Sequence, residues 1–182
     1  MTRYAILLRG INVGVQNRMS MADLKDYLTS LGFENVTSYI NSGNIILESD
    51  KSPSDIKTEI ESALPKAFEL KGGEPIKVLV LSHDDIQEVI DNKPKGFGEE
   101  PDVYHSDIIF MIEGKVADAM SAFSPKEGVD TVWPGKIAIY SQRLSAMRTK
   151  SRLNKIMSTP YYKDMTIRTY GTTIKLLQLL VA

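Results

Sequence analysis

The amino-acid sequence predicts an α+β protein built from two tandem ferredoxin-like βαββαβ modules with antiparallel sheets. Three observations predict it. An apolar run at residues 4–9 is followed by an amphipathic helical stretch and then by two strand-like runs around a tight turn. The same order of elements recurs after residue 102, although no repeat is visible residue by residue. The two hairpins also break the strict strand–helix alternation that a doubly wound parallel sheet requires.

The elements follow in order. YAILLR (4–9) reads as a buried central strand. A polar connection, Gly10 to Met19, leads to a helix that Ser20 can cap, with Asp23 three residues on. Leu24, Tyr27, Leu28 and Leu31 share one face of that helix, and Gly32 ends it. VTSYI (36–40) and NIILE (44–48) are strands joined through Asn41-Ser42-Gly43. Ser52 caps a second helix with Pro53 in its first turn, and Pro65 is expected to kink or split it. IKVLVL (76–81) closes a first module over residues 1–81.

Ser82 and Asp85 start a short helix. The run NKPKGFGEEPD (92–102), rich in Pro, Gly and charge, reads as a linker within residues 82–102. The second module, 103–182, has a strand at 105–112 and a helix with Val116, Ala119, Met120 and Phe123. Strands at 129–133 and 136–141 flank Pro134-Gly135. A helix at 151–159, a strand at 165–169 and an extra apolar helix at 173–181 complete it.

Composition narrows the function classes. The chain has 182 residues and no cysteine, which rules out disulfides, thiolate metal sites and cysteine nucleophiles. Its first apolar run is too short for a signal peptide, and no run approaches a membrane span. A cytoplasmic location without membrane contact is therefore expected. Charge is uneven: residues 1–130 carry 22 acidic and 13 basic groups, whereas residues 131–182 carry nine basic groups and one acidic, Asp164. Such asymmetry fits either an anionic partner or attraction between parts of the protein, including a second copy.

The fold reading brings two distant segments together. In a split βαβ unit the end of the first strand, the start of the first helix and the hairpin between strands two and three lie at one end of the sheet. Arg9, Gly10, Asn12, Gly14 and Asn17 should then meet Asn41, Ser42, Gly43 and Asn44. Gln16 and Arg18 belong to the same loop. Amides donate and accept, arginine forks suit phosphate or carboxylate, and glycines admit close approach of a ligand. The adjoining helix start favours an anion. The same residue types also serve as plain turn formers. Neither the dinucleotide-binding nor the Walker pattern is present.

The stretch LLRGINVGVQNRMSMADLKDYLTSLGFENVTSYINSGNIILES (7–49) strongly resembles the bacterial family known as domain of unknown function 1697. The hallmarks are the LRGINVG segment, the M-x-M-x-x-L and LGF runs and the YI-x-SGN hairpin. KSRLNKIMSTPYYKDMTIRTYGTTIKL (150–176) resembles that family's closing motif. Val15 stands where the family usually has a second glycine, and Asn41 where it commonly has glutamine. Thr169-Tyr170-Gly171 departs from a usual Arg-Asn-Trp-like run. The resemblance implies tandem ferredoxin-like domains and brings no settled activity with it.

A second anion site is expected at Arg148, Lys150, Ser151 and Arg152, in a stretch that also holds Arg143 and Lys155. No cofactor is expected. No metal is expected either, because His83 and His105 are far apart and lack ligand spacing. No nucleophile motif is visible. The third strand has no aromatic residue, which disfavours an RNA-recognition mode. The leading expectation is a binding module for an anionic ligand: a nucleotide, a phosphorylated metabolite or nucleic acid. The alternatives are an enzyme acting on a phosphorylated or carboxylated small molecule, and a structural homo-oligomer.

Overall fold

Alternation within the first apolar run sets the first sheet. β1 (Thr2–Arg9) sends Tyr4, Ile6 and Leu8 to one face, where they meet Ile45 and Leu47 of β3 (Asn44–Ser49) and Val78 and Val80 of β4 (Lys77–Leu81). α1 (Met21–Ser30) and α2 (Pro53–Ala67) add Leu24, Leu28, Ile56, Ile60 and Leu64 to this same cluster, so both helices cover one face. The residues between, Ala5 and Leu7, are also fully buried, as a continuous apolar strand requires. β2 (Glu34–Tyr39) is an edge strand, and the antiparallel order is β2-β3-β1-β4.

The second sheet has the matching order β6-β7-β5-β8. Its strands are β5 (Tyr104–Met111), β6 (Asp130–Pro134), β7 (Ala138–Leu144) and β8 (Met165–Thr169). Ile109, Ile139 and Met165 pack with Val116 and Ala119 of α4 (Val116–Met120) and with Ile156. α3 (His83–Asp91) precedes this sheet and α5 (Tyr170–Val181) follows it. These elements come from a computed structural model that describes residues 1–15, 17–71 and 75–182. The described chain divides into two compact units, residues 1–86 with 176–182 and residues 87–175.

Local signals in the sequence act as expected at several helix ends. Ser20 accepts from the amides of Ala22 and Asp23, and Ser52 from that of Asp55. At α3, Ser82 and Asp85 cap each other reciprocally, Asp85 N–H to Ser82 Oγ at 3.2 Å and Ser82 N–H to Asp85 Oδ2 at 2.8 Å. Other expectations change. Pro65 does not split α2, because it lies in the last turn, where only one ladder bond is lost before the helix stops at Ala67. The expected helix at 151–159 is a 3₁₀ turn, Leu153–Ser158, preceded by another at Ser145–Lys150. The last helix begins three residues earlier than expected, at Tyr170.

Residues 92–102 are packed rather than extended. Phe97 is fully buried, and its ring meets Trp133, Tyr140 and Tyr170 edge to face at 6.1, 5.2 and 5.6 Å. Gly98 adopts φ +75, and a side chain there would strike the ring of Tyr170 at 2.4 Å. Tyr140 donates its hydroxyl to the carbonyl of Val89 at 2.6 Å. Burial pushes its ionisation up from 10.0 to about 12. The folded state thus resists tyrosinate more than the unfolded chain does, and this contribution to stability is complete below pH 10 and disappears by about pH 12. Thermal melts across that window should show wild type losing more stability than Tyr140→Phe; parallel losses would refute the assignment.

Candidate functional site

The loop after β1 and the β2–β3 hairpin meet at one end of the first sheet. Leu7 faces Asn44 across the β1–β3 ladder, and the amide of Leu8 donates to the carbonyl of Gly43 at 2.8 Å. Arg9, half-buried at the end of β1, is in register with Lys77 of β4. Gly10 follows it, and its carbonyl accepts from Asn17 Nδ2 at 2.8 Å.

Asn12 joins the two segments. Its Nδ2 donates to the carbonyls of Met19 and Asn41, each at 3.0 Å, and its Oδ1 accepts from the amide of Met19 at 2.8 Å. One side chain thus fixes both ends of the long loop and ties them to a hairpin 29 positions away. Asn12 and Asn17 both sit at positive φ, +53 and +46, a conformation that asparagine tolerates better than most residues. Asn44 is fully buried and donates to the Tyr39 carbonyl at 3.1 Å and to Ser42 Oγ at 2.9 Å.

The residues expected at the site therefore divide by role. Asn12, Asn17 and Asn44 spend amide hydrogen bonds on holding the loop and hairpin. Arg18, Gly14, Asn41 and Ser42 are exposed on the rim they hold. Gln16 lies outside the described residues. An open cleft of about 650 Å³ lies between the segments, lined by Asn12, Gly14, Arg18, Ser20, Met21 and Asn41 among others. Arg18 is its cation; its Nε donates to the Gly14 carbonyl at 3.3 Å. The start of α1 contributes less than expected, since Ser20 already occupies the amides of Ala22 and Asp23 and Asp23 is acidic.

The second expected anion site is arranged differently. Arg148 and Lys150 are exposed on the first 3₁₀ turn, and Arg152 is exposed just before the second. The amide of Arg152 donates to Asp130 Oδ2 at 2.8 Å, and that of Leu153 to Ser151 Oγ at 3.3 Å. The first donor holds the turn to β6, and the second is used within the turn, so neither faces outward.

One polar cluster escapes simple sequence reading. His105 and Asp107, two apart on β5, share a face, with His105 Nε2 3.0 Å from Asp107 Oδ1. Arg143 of β7 is the register partner of both His105 and Asp130. Burial pushes the Asp107 carboxyl above its usual range, against the pull of His105 and Arg143. Burial raises the Asp130 carboxyl, but hydrogen bonds from the Arg152 amide, the Ser151 side chain and the Lys126 amide, with the charge of Arg143, together bring it below its usual range. The i, i+2 spacing on a strand was the available signal. A further cleft of about 470 Å³, between Gly114-Lys115 and the Pro134–Lys136 turn, occupies in the second unit the topological place of the first. Among the described residues no group of three or more His, Asp or Glu could hold a metal ion, and no helix is long and apolar enough to cross a membrane.

Fold and site together define a mixed α+β protein with two four-stranded antiparallel sheets, one ending in a polar loop–hairpin rim. Its sequence matches the family model described as protein of unknown function (DUF1697) over residues 1–140. The chain belongs to that family. It is similar to a solved structure described as that of conserved bacterial protein SP0830 from Streptococcus pneumoniae. The two share 32% identity over 98% of each chain, with a TM-score of 0.82. No curated protein matches the chain.

Proposed function

We propose that the protein is a binding module for a small anionic ligand, held at the loop–hairpin rim of the first unit. The observation that carries this reading is the Asn12 brace. It joins two distant segments into one fixed edge, beside a cleft whose lining includes the Arg18 guanidinium. A planar guanidinium is suited to two-point contact with phosphate or carboxylate. No carboxylate or histidine is among the described lining residues, which supports binding over proton-transfer catalysis. The strand orders support reading each unit as a ferredoxin-like module. A bacterial, cytoplasmic setting is part of the same proposal, and the Streptococcus pneumoniae neighbour supports its bacterial half.

The test is a thermal-shift screen of phosphorylated and carboxylated metabolites on wild type and Arg18→Ala. A ligand present at a hundredfold its dissociation constant should raise the wild-type melting temperature by roughly 5–10 °C. Arg18→Ala should fold normally, because the residue is exposed, and lose the shift. An equal shift in both proteins would place the anion elsewhere.

A further inference from the structure

The polar cluster of the second sheet has the parts of a proton-transfer site. Arg143 of β7 is the register partner of His105 on β5 and of Asp130 on β6, so the three residues form one row on one face. Asp107 stands two residues along β5 on that same face. Its Oδ1 accepts from His105 Nε2 at 3.0 Å. The carboxylate is the sheltered member of the pair, with its side chain 17% exposed, and the imidazole is the open one, at 39%. An imidazole that donates through Nε2 carries its lone pair on Nδ1. Among the described residues Nδ1 of His105 has no hydrogen-bond partner. A sheltered carboxylate behind an accessible imidazole fixes its tautomer and stabilises the imidazolium, which is how a general base is made.

Arg143 supplies the complementary charge. Its guanidinium makes no hydrogen bond or ion pair among the described residues, and its Nε is buried without a partner. Beside it, Asp130 Oδ2 accepts from the amides of Lys126 and Arg152 at 2.9 and 2.8 Å, whereas Oδ1 is buried and also lacks a partner among the described residues. Buried polar atoms without partners are rare in folded proteins, and a catalytic role is one reason they are kept.

The other groups on this face limit the substrate. The charge of Arg143 acts on both carboxyls, Asp107 and Asp130. Opposite Asp107, β7 and β8 add only the uncharged Ser141 and Thr169. The two carboxyls disfavour a substrate that arrives as an anion. One guanidinium suits a single charge that develops during reaction. A carboxylic ester meets both conditions, being neutral when bound and singly negative at the tetrahedral stage.

We infer that the second unit carries a general-base site for hydrolysis of small neutral carboxylic esters, with His105 as the base, Arg143 as the holder of the oxyanion and Asp107 as a positioning residue. The oxygen of water adds to the carbonyl carbon while its proton passes to His105 Nδ1. The carbonyl oxygen takes up the negative charge against the Arg143 fork. The bond to the alcohol oxygen then breaks, the carbonyl re-forms, and the proton on Nδ1 passes to the leaving alkoxide. The products are the acid and the alcohol, and His105 is regenerated. This site is separate from the loop–hairpin rim and does not rest on the anion-binding reading.

The test is saturation kinetics of the full chain on p-nitrophenyl acetate, butyrate and octanoate. His83 is the control, since it is the other histidine of the chain and similarly exposed, at 41%. His105→Gln should lower kcat/KM about a hundredfold or more, and His83→Gln should leave it unchanged. His105 is partly exposed, so its variant should match wild type in circular dichroism and melting temperature. Arg143→Gln should lower kcat about tenfold or more and leave KM within about twofold, because its contact forms in the transition state. Asp107→Asn should lower kcat/KM about tenfold or more and move the rising limb of its pH profile to lower pH, because the lost carboxylate no longer favours imidazolium. Loss of rate with that limb unmoved would overturn the role of Asp107. If wild type hydrolyses none of the three esters faster than His105→Gln does, or if the two histidine variants lose equal activity, the site is overturned.

Discussion

Phe97→Ala should lower the unfolding free energy of the second unit by about 3–5 kcal/mol, the cost of emptying a fully buried aromatic site. Phe97 lies at the centre of three edge-to-face contacts, with Trp133, Tyr140 and Tyr170. Each neighbour would lose a ring contact as well as buried area. Gly98 has no room to let the backbone collapse toward Tyr170, because its neighbouring ring already fills that space. Trp133 is the single tryptophan of the chain and sits 6.1 Å from the Phe97 ring, so its fluorescence reports on this unit during urea unfolding. Phe97→Leu should cost less than half as much. A loss below about 1 kcal/mol for the alanine variant would show that this segment contributes little packing energy.

Gly43→Ala should destabilise the first unit by about 2–4 kcal/mol and abolish ligand binding at the rim, through backbone strain and steric overlap together. Gly43 has φ +79, and a β-carbon there would come within 2.9 Å of Ile11 Cδ1 and 3.0 Å of the Leu8 carbonyl oxygen. The backbone cannot relax away easily, because the Gly43 carbonyl accepts from the Leu8 amide. Gly10→Ala is the control. Gly10 has a similar φ, +88, but open space around it, so only the left-handed penalty of about 1–2 kcal/mol should appear. Equal losses in the two variants would mean that the contact with β1 and its loop carries no cost.

Much of this fold was legible because its signals are local. The spacing of Leu24 and Leu28 with the Ser20 cap gives α1, and Asn41-Ser42-Gly43 gives the hairpin. The meeting of the loop and hairpin followed from topology alone. The division of labour among the asparagines did not, because residue type and spacing leave open which atom faces the backbone and which faces water. Phe97 was hidden by its company: Pro94, Gly96 and Gly98 make the segment look like a linker, and one aromatic residue has no periodicity to reveal it. The basic run before Pro160 looks helical by composition, yet Asp130 draws the Arg152 amide toward the sheet, a contact 22 residues away that no local pattern encodes. The His105–Asp107 pair occupies alternate positions of one strand, a spacing that strands use everywhere and that carries no metal-ligand signal of its own.

The Asn12 brace also bears on the kinetics of recognition. Each hydrogen bond it makes is internal to the protein, so the edge it holds has its shape before any guest arrives. Little conformational freedom then remains to be frozen on association, and more of the contact energy appears as affinity. Capture should proceed in a single concentration-dependent phase, with no slow rearrangement following encounter.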